Sequence, residues 1–354
     1  MIDTVASDFD AQDRVSGDAM EHIAEQIQYV AVIGTGSIGL RHLRVLQGLP
    51  NVRPIAISYR DERRAELTRL GYLTCANLAN AVKTWKLYGC IVASDTSRHV
   101  ADSLEVFSNG LRCLVEKPAS RNGNEARQLL HAALKANCSL YVGCVMRFSE
   151  SLAQVRAGLA RVGPVHAVRI ECQSYLPDWR PNRPYRDTYS AREDEGGVLR
   201  DLIHELDYAG WLFGWPTRLQ ARLVNTGALG ISAEESADLS WETKDGAVVS
   251  IRLDYLTRPP RRHMTVFGCN GTWTWDGLSN HAVYDAADGG NEQIVSTQTR
   301  DAMFSDQARA FLSAGKGEAE PLLASGLDGV RAMLICDAAR RASLSRCEES
   351  VETP

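Results

Sequence analysis

The stretch YVAVIGTGSIGLRHLRVL, Tyr29–Leu46, constrains the fold of this chain more than any other. Tyr29–Ile33 is an apolar, β-branched run of the length of one buried parallel strand. Gly34, Gly36 and Gly39 follow in the spacing G-x-G-x-x-G, and Leu40, Leu43 and Leu46 then recur at helical spacing. The first glycine makes a tight turn, the second lets a pyrophosphate approach the backbone, and the third lets helix and strand pack closely. Ser37 and Ile38 open the helix, whose free N–H groups face the phosphates. A glycine-rich turn alone says little; the strand before it and the helix after it are what dinucleotide binding requires.

The alternation continues. Pro54–Tyr59, Cys90–Ser94, Arg112–Val115 and Leu140–Val145 read as strands, with helices predicted over Asp61–Leu70, His99–Asn109 and Glu125–Asn137. This is the grammar of a doubly wound parallel sheet that binds ligands at the carboxyl ends of its strands. After Phe148 the pattern changes. Val165–Ser174, Arg218–Asn225, Ser236–Glu242, Ala247–Leu256, Met264–Phe267, Gly271–Trp275 and Ala282–Tyr284 read as strands, several of them alternating. Helices are expected over Leu152–Ala160, Val198–Phe213, Asp301–Ala314 and Ala324–Leu344. The predicted fold is therefore α/β: a Rossmann domain over residues 29–148, then an α+β domain over 149–354 with a large, mostly antiparallel open sheet. Residues 1–28, polar and acidic, are expected to form a mobile tail.

At 354 residues the chain is long enough for two domains. A net charge of −5 offers no electrostatic case for nucleic acid. No apolar run reaches membrane-spanning length, and Asp3, Asp8, Asp10 and Asp13 stand where a signal peptide needs basic and then apolar residues. The nine cysteines show neither C-x-x-C pairs nor metal-ligand spacing. A cytoplasmic protein without structural metal is the expectation. Strands such as Ala247–Leu256 carry apolar residues that the helices of this half look too few to cover, which predicts a homodimer or homotetramer through that sheet.

The second strand bears on the cofactor. An NAD site places Asp or Glu about twenty residues past the glycines, against the ribose 2′-hydroxyl. Here that place holds Ser58, Tyr59 and Arg60, which suit a 2′-phosphate and so NADP; Asp61 reaching the ribose would instead suit NAD. Lys117, between Glu116 and Pro118 after a strand, is placed to stabilise alkoxide charge beside the nicotinamide. In GGVLRDLIHELDYAGWLFG, Gly196–Gly214, the residues Asp201, His204 and Asp207 recur every three positions and would share a helical face. They fit a general base with a carboxylate that fixes its tautomer or binds substrate, although the helix alone favours a capped helix with a structural histidine. Tyr175–Arg192 is rich in Tyr, Trp and Arg, fit to stack on sugar rings and bind anions, or to pack against a neighbouring subunit.

These segments, with SDTSRHV at Ser94–Val100, VEKPAS and MRF at Met146–Phe148, resemble the glucose–fructose oxidoreductase / inositol dehydrogenase family from about Tyr29 to Leu344. The resemblance implies an NAD(P)-dependent oxidoreductase of a sugar, amino sugar or polyol. Lys117 is then the lysine of the EKP motif, His204 the proton-transfer histidine, and Asp201 a residue that orients it or binds a substrate hydroxyl. It extends the cofactor wall to Ser94, His99 and Glu116, and the substrate wall to Arg147, Trp179, Tyr185, Arg186 and Tyr189. The family's commonest pattern has Asp four residues before the histidine, where this chain has Arg200, and proline where it has Asp95. DLIHELDYAGWLFG, YLPDWRP and RPPRR resemble a subgroup associated with bacterial sugar and nonulosonic-acid gene neighbourhoods. Two other functions occur among such proteins: redox-assisted glycoside cleavage with retained NAD, and non-catalytic regulation by a dinucleotide-binding sensor. Retention of Lys117 and His204 weighs against the sensor.

Overall fold

In the computed structural model, residues 27–314 and 320–354 are described. The expected mobile tail lies outside them except for Ile27 and Gln28. The first six strands are β1 Gln28–Ile33, β2 Val52–Ile57, β3 Leu73–Cys75, β4 Leu87–Val92, β5 Arg112–Val115 and β6 Leu140–Val142. They alternate with helices α1 Ser37–Gln47, α2 Asp61–Arg69, α3 Leu78–Thr84, α4 Thr96–Ser108 and α5 Gly123–Lys135. All pair in parallel in the order β6-β5-β4-β1-β2-β3. The order reverses between β1 and β4, which opens a crevice at their carboxyl ends. Val30, Ala31, Val32, Cys90, Ile91 and Val92 are fully buried because helices cover both faces of this sheet. β3 and α3 were not anticipated: a strand of three residues is too short to show a period.

After α6 Glu150–Gly158 come β7 Val165–Gln173, α7 Val198–Asp201, α8 Ile203–Phe213, β8 Arg218–Val224 and β9 Ser236–Glu242. β10 Val248–Asp254, β11 Arg261–Gly268, β12 Gly271–Asp276, β13 His281–Ala286 and β14 Asn291–Val295 follow. The chain closes with α9 Arg300–Ser313, β15 Ala324–Ser325, α10 Gly326–Ser345 and β16 Glu349–Ser350. The second sheet runs β14-β13-β12-β11-β7-β10-β9-β8-β16 and is antiparallel except where β7 meets β10. α6, α8 and α10 cover one of its faces. Val168, Ile170, Val249, Ile251, Leu253, Met264, Val266, Trp273 and Trp275 are thereby buried within one chain. This corrects the physical basis of the expected oligomer: the apolar face of this sheet is covered by helices of the same chain. The opposite face is a polar groove of about 660 Å³ with Arg169, Glu171, Arg222, Asp238 and Arg252 in its wall.

Two elements late in the chain return to the first sheet. α9 packs on α1, placing Phe304, Ala308 and Phe311 in the first core, and β15 pairs antiparallel with β6. The helix expected from Ala324 thus begins with two residues of strand. Ser325 and Asp328 form a reciprocal capping box at the start of α10. Among the described residues no helix is long and apolar enough to cross a membrane.

Candidate active site

The crevice at the β1/β4 switch point is a cleft of about 1050 Å³ walled by Gly34–Gly36, Ser58–Arg60, Ser94 and Asp95, α2, and Arg98. Gly34 has φ +91°, and a Cβ there would lie 2.5 Å from the backbone of Ala93. A Cβ on Gly39 would lie 2.0 Å from the carbonyl oxygen of Gly34, so only glycine permits this approach of helix to turn. At Gly36 the space is open: nothing lies within 4 Å of where a Cβ would be. That void stands at the N-terminus of α1, beside Ser37 and Ile38, whose side without a side chain fits a pyrophosphate. The Ser94 hydroxyl is buried in the same wall without a hydrogen-bond partner. These features fit a dinucleotide.

At the end of β2 Ser58 is buried, while Tyr59 is exposed and carries the Arg98 guanidinium over its ring at 5.1 Å. Arg98 also donates to the Tyr59 hydroxyl at 3.2 Å and to Asp102 at 2.7 Å. Arg60 makes no side-chain hydrogen bond or ion pair with any described residue. Asp61 is turned to solvent and paired with Arg64. Arg63, unforeseen in the sequence, donates to the Thr35 carbonyl at 2.7 Å and braces the glycine loop.

The polar centre lies where the two halves meet. Lys117 follows β5, and its Nζ donates to the carbonyl oxygen of Asp201 at 2.7 Å. Asp201 ends α7; its Oδ2 accepts from the buried Tyr255 hydroxyl at 2.7 Å, and its Oδ1 is buried without a partner. The helix expected to run unbroken over Val198–Phe213 is interrupted at Leu202, φ −100° and ψ 31°. Asp201, His204 and Asp207 therefore do not form one stripe, and no hydrogen bond joins Asp201 to His204. The unpartnered atom on the histidine is Nδ1, also buried. Burial drives the His204 pKa well below its usual value, and the nearby charges of Lys117, Arg262 and Arg300 push it the same way. His204 is thus a neutral imidazole with capacity to take a proton. The Asp201 charge, more than burial, raises the Tyr189 hydroxyl, and burial with Asp201 raises that of Tyr255. Both phenols stay protonated beside the carboxylate.

Several residues expected in the walls have other work. Arg147 is 2% exposed and gives a bidentate pair to Asp207, at 2.6 and 2.9 Å, with Asp328 at 3.3 Å from Nη1. It ties α8 to α10, and its guanidinium is taken up by these two carboxylates. Tyr185 and Arg186 both donate to the Leu229 carbonyl, at 2.9 and 3.0 Å, and are fastened there. His99 is buried, its ring nitrogens against the carbonyls of Pro118 and Ser94 at 2.8 and 3.0 Å; it ties two loops together behind the cleft. Burial lowers its pKa more than these carbonyls raise it. Glu116 is also buried, accepting from His42 Nε2 at 2.7 Å and from the Lys117 amide at 3.2 Å. Burial alone would raise its carboxyl, but the His42 bond and the charges of His42 and Lys117 hold it below the usual range. Trp179 stays near the centre, edge-on to Tyr255 at 5.4 Å, with its indole N–H on Ser174. Arg200 is buried and donates to the carbonyls of Arg121, Glu193 and Gly196. Sequence reasoning missed His42, Tyr255, Arg262 and Arg300 as individual residues, although His42 lies in the glycine stretch, Tyr255 in the strand expected over Ala247–Leu256 and Arg262 in RPPRR.

Residues 29–144 match the oxidoreductase family with an NAD-binding Rossmann fold, and residues 153–274 match the GFO/IDH/MocA C-terminal domain. The rhizopine catabolism protein MocA of Rhizobium meliloti is 26% identical over 325 residues, 88% of this chain and 93% of its own length. The UDP-N-acetylglucosamine 3-dehydrogenase of Acidithiobacillus ferrooxidans is 25% identical over 317 residues, 85% and 93% of the two chains. Levoglucosan dehydrogenase, solved with NADH, shares the fold at a TM-score of 0.83 and 17% identity, over 92% of this chain and all (100%) of that one.

Proposed function

Since this chain belongs to the GFO/IDH/MocA family of NAD-binding oxidoreductases, we propose that it moves hydride between nicotinamide and a hydroxyl or keto carbon of a sugar, amino sugar or polyol. One observation carries this reading. Beside the dinucleotide cleft stands a donor, Lys117, together with a neutral buried imidazole, His204, and a carboxylate oxygen of Asp201 that no protein group satisfies. Unsatisfied buried polar atoms are costly, and Asp201 Oδ1 and His204 Nδ1 are two that the hydroxyls of a polyhydroxylated ligand would pair.

In oxidation, His204 takes the proton of the reacting hydroxyl and Lys117 stabilises the alkoxide as it forms. Bound nicotinamide supplies the hydride acceptor. Asp201, held by Tyr255, accepts from a neighbouring hydroxyl of the sugar and orients the ring. Trp179 and Tyr189 complete the wall. Reduction runs the same path in reverse. The test is anaerobic incubation of the enzyme with either oxidised cofactor and a panel of sugars, amino sugars and polyols, following reduced nicotinamide by absorbance. Cofactor reduction with at least one of them is expected; none, with retained cofactor and glycoside cleavage, would replace the reading with the redox-assisted hydrolase.

Within this reading the preferred cofactor is NADP, because Arg60 is unpaired in the cleft and Asp61 is not in its wall. A second reading has its own observation: Glu62 lines the same wall and suits the ribose hydroxyls of NAD. Calorimetric titration with both cofactors decides between them. The assembly is a homodimer or homotetramer paired through the polar face of the second sheet, and mass by light scattering reads it. The location is cytoplasmic, consistent with nine free thiols.

A further inference from the structure

The cleft has one wall residue from the far half of the chain. Arg183 belongs to the segment between β7 and α7, yet it lines the same cavity as Gly34–Gly36, Tyr59, Arg60 and Arg98. Its place follows from how that segment is anchored. On one side the Trp179 indole donates to Ser174 Oγ at 2.8 Å, and Trp179 packs against Tyr255. On the other, Tyr185 and Arg186 are both fixed to the Leu229 carbonyl. Between these anchors the chain turns, with the Arg183 amide donating to the Arg180 carbonyl at 3.0 Å. The turn is thus held over the crevice by its ends.

The charges in the cleft sort by whether they are used. Arg98 is committed to Asp102, and Arg63 to Glu66 and the Thr35 carbonyl. The side chains of Arg60 and Arg183 make no hydrogen bond or ion pair with any described residue. Glu62 and Asp95 share the wall, and neither guanidinium is paired with them. Two guanidiniums from distant parts of the chain therefore reach one cavity with their donors unspent. The cavity also has the open space at Gly36 and the N-terminus of α1, both suited to an anion. Guanidinium presents a planar fork of donors that matches phosphate oxygens bidentately.

We propose that Arg183 is a phosphate ligand of the bound dinucleotide, closing over it from the second half of the chain and acting with Arg60 from the first. This rests on the dinucleotide reading of the cleft. It adds a residue that no glycine fingerprint or second-strand position contains. The shared chemistry is a phosphate ester, from either the 2′-phosphate of NADP or the pyrophosphate common to both cofactors. Because the same segment carries Trp179 against Tyr255, and Tyr255 holds Asp201, the phosphate grip and the polar centre share one anchored strap.

The test is equilibrium titration of NADPH and NADH by nicotinamide fluorescence into the full-length wild type, Arg183→Met and Arg183→Lys. Arg183 is exposed, and matched melting curves establish that the variants are folded. Arg183→Met should bind NADPH about tenfold more weakly, the loss of one charge-assisted contact. Arg183→Lys should recover part of it, since ammonium keeps the charge but not the fork. Weakening confined to NADPH assigns the 2′-phosphate; equal weakening of NADH assigns the pyrophosphate. Wild-type affinity for both cofactors in Arg183→Met overturns the proposal while leaving the dinucleotide reading intact. A wild type that binds neither overturns both. A wild type preferring NADH, with both affinities reduced in the variant, removes the NADP reading and retains Arg183 as a ligand.

Discussion

Asp201 and Asp207 stand on either side of the break at Leu202, and they end in different company. Asp207 is buried and fully occupied: Arg147 grips both of its oxygens, and Asp328 lies on the same guanidinium. Asp201 is equally buried, but only one of its oxygens is held, by Tyr255, and the other has no protein partner. The same contrast separates Arg147 from Lys117, whose Nζ is held by a single backbone carbonyl. Burial does not distinguish a functional carboxylate from a structural one here. What differs between these two carboxylates is spare hydrogen-bonding capacity, which Asp201 has and Asp207 lacks.

Four measurements break or sharpen this contrast. The largest effect is expected at the unsatisfied centre. His204→Ala should lower turnover by roughly 10²–10⁴ and Lys117→Met by roughly 10²–10³, with cofactor still bound. If either variant keeps more than about a tenth of wild-type turnover, short of those losses, its proposed role is wrong. At the satisfied pair the signs should exchange. Arg147→Met leaves Asp207 buried and uncompensated, so denaturant unfolding should show a loss of about 3–5 kcal/mol. The remaining folded enzyme should turn over near the wild-type rate; a collapse of turnover at unchanged stability would return Arg147 to the substrate wall.

The third measurement is acid stability. Burial and the charges of Lys117, Arg262 and Arg300 depress His204 in the folded state, whereas the unfolded ring protonates near its usual value of about 6.5. As pH falls below that value, the unfolded chain binds the proton and the folded chain does not, so stability is lost on the way down. The slope from this one group reaches at most about 1.4 kcal/mol per pH unit, and it should vanish in His204→Gln. Equal slopes for the two proteins would mean that the imidazole is not held neutral. The smallest effect is expected for Tyr255→Phe, which frees Asp201 Oδ2. A loss of about 1 kcal/mol in stability is expected. If the same amount enters the barrier, turnover falls about fivefold. A stability loss without any kinetic change would make Tyr255 a packing residue only.

What the chain alone determined has a local cause. The strand, the three glycines and the helix of the cleft are contiguous, so their spacing states their geometry: Gly34 needs a positive φ, and Gly39 a close approach. Alternation along β7, β9 and β10 gave the open sheet, because a period of two needs no knowledge of the partner strand. Lys117 was legible through its neighbours Glu116 and Pro118. What the tertiary structure decided concerns pairs far apart in sequence. Helical spacing placed Asp201, His204 and Asp207 on one face, but the break at Leu202 and two distant side chains, Tyr255 and Arg147, gave the carboxylates different partners. Arg147 looked like a substrate contact beside its motif, and only the packing of α8 and α10 shows it satisfied. Whether the apolar face of the second sheet needed a second subunit depended on where α6, α8 and α10 fold back. Periodicity shows that a face is apolar but not what covers it, because covering is a property of the assembled layers.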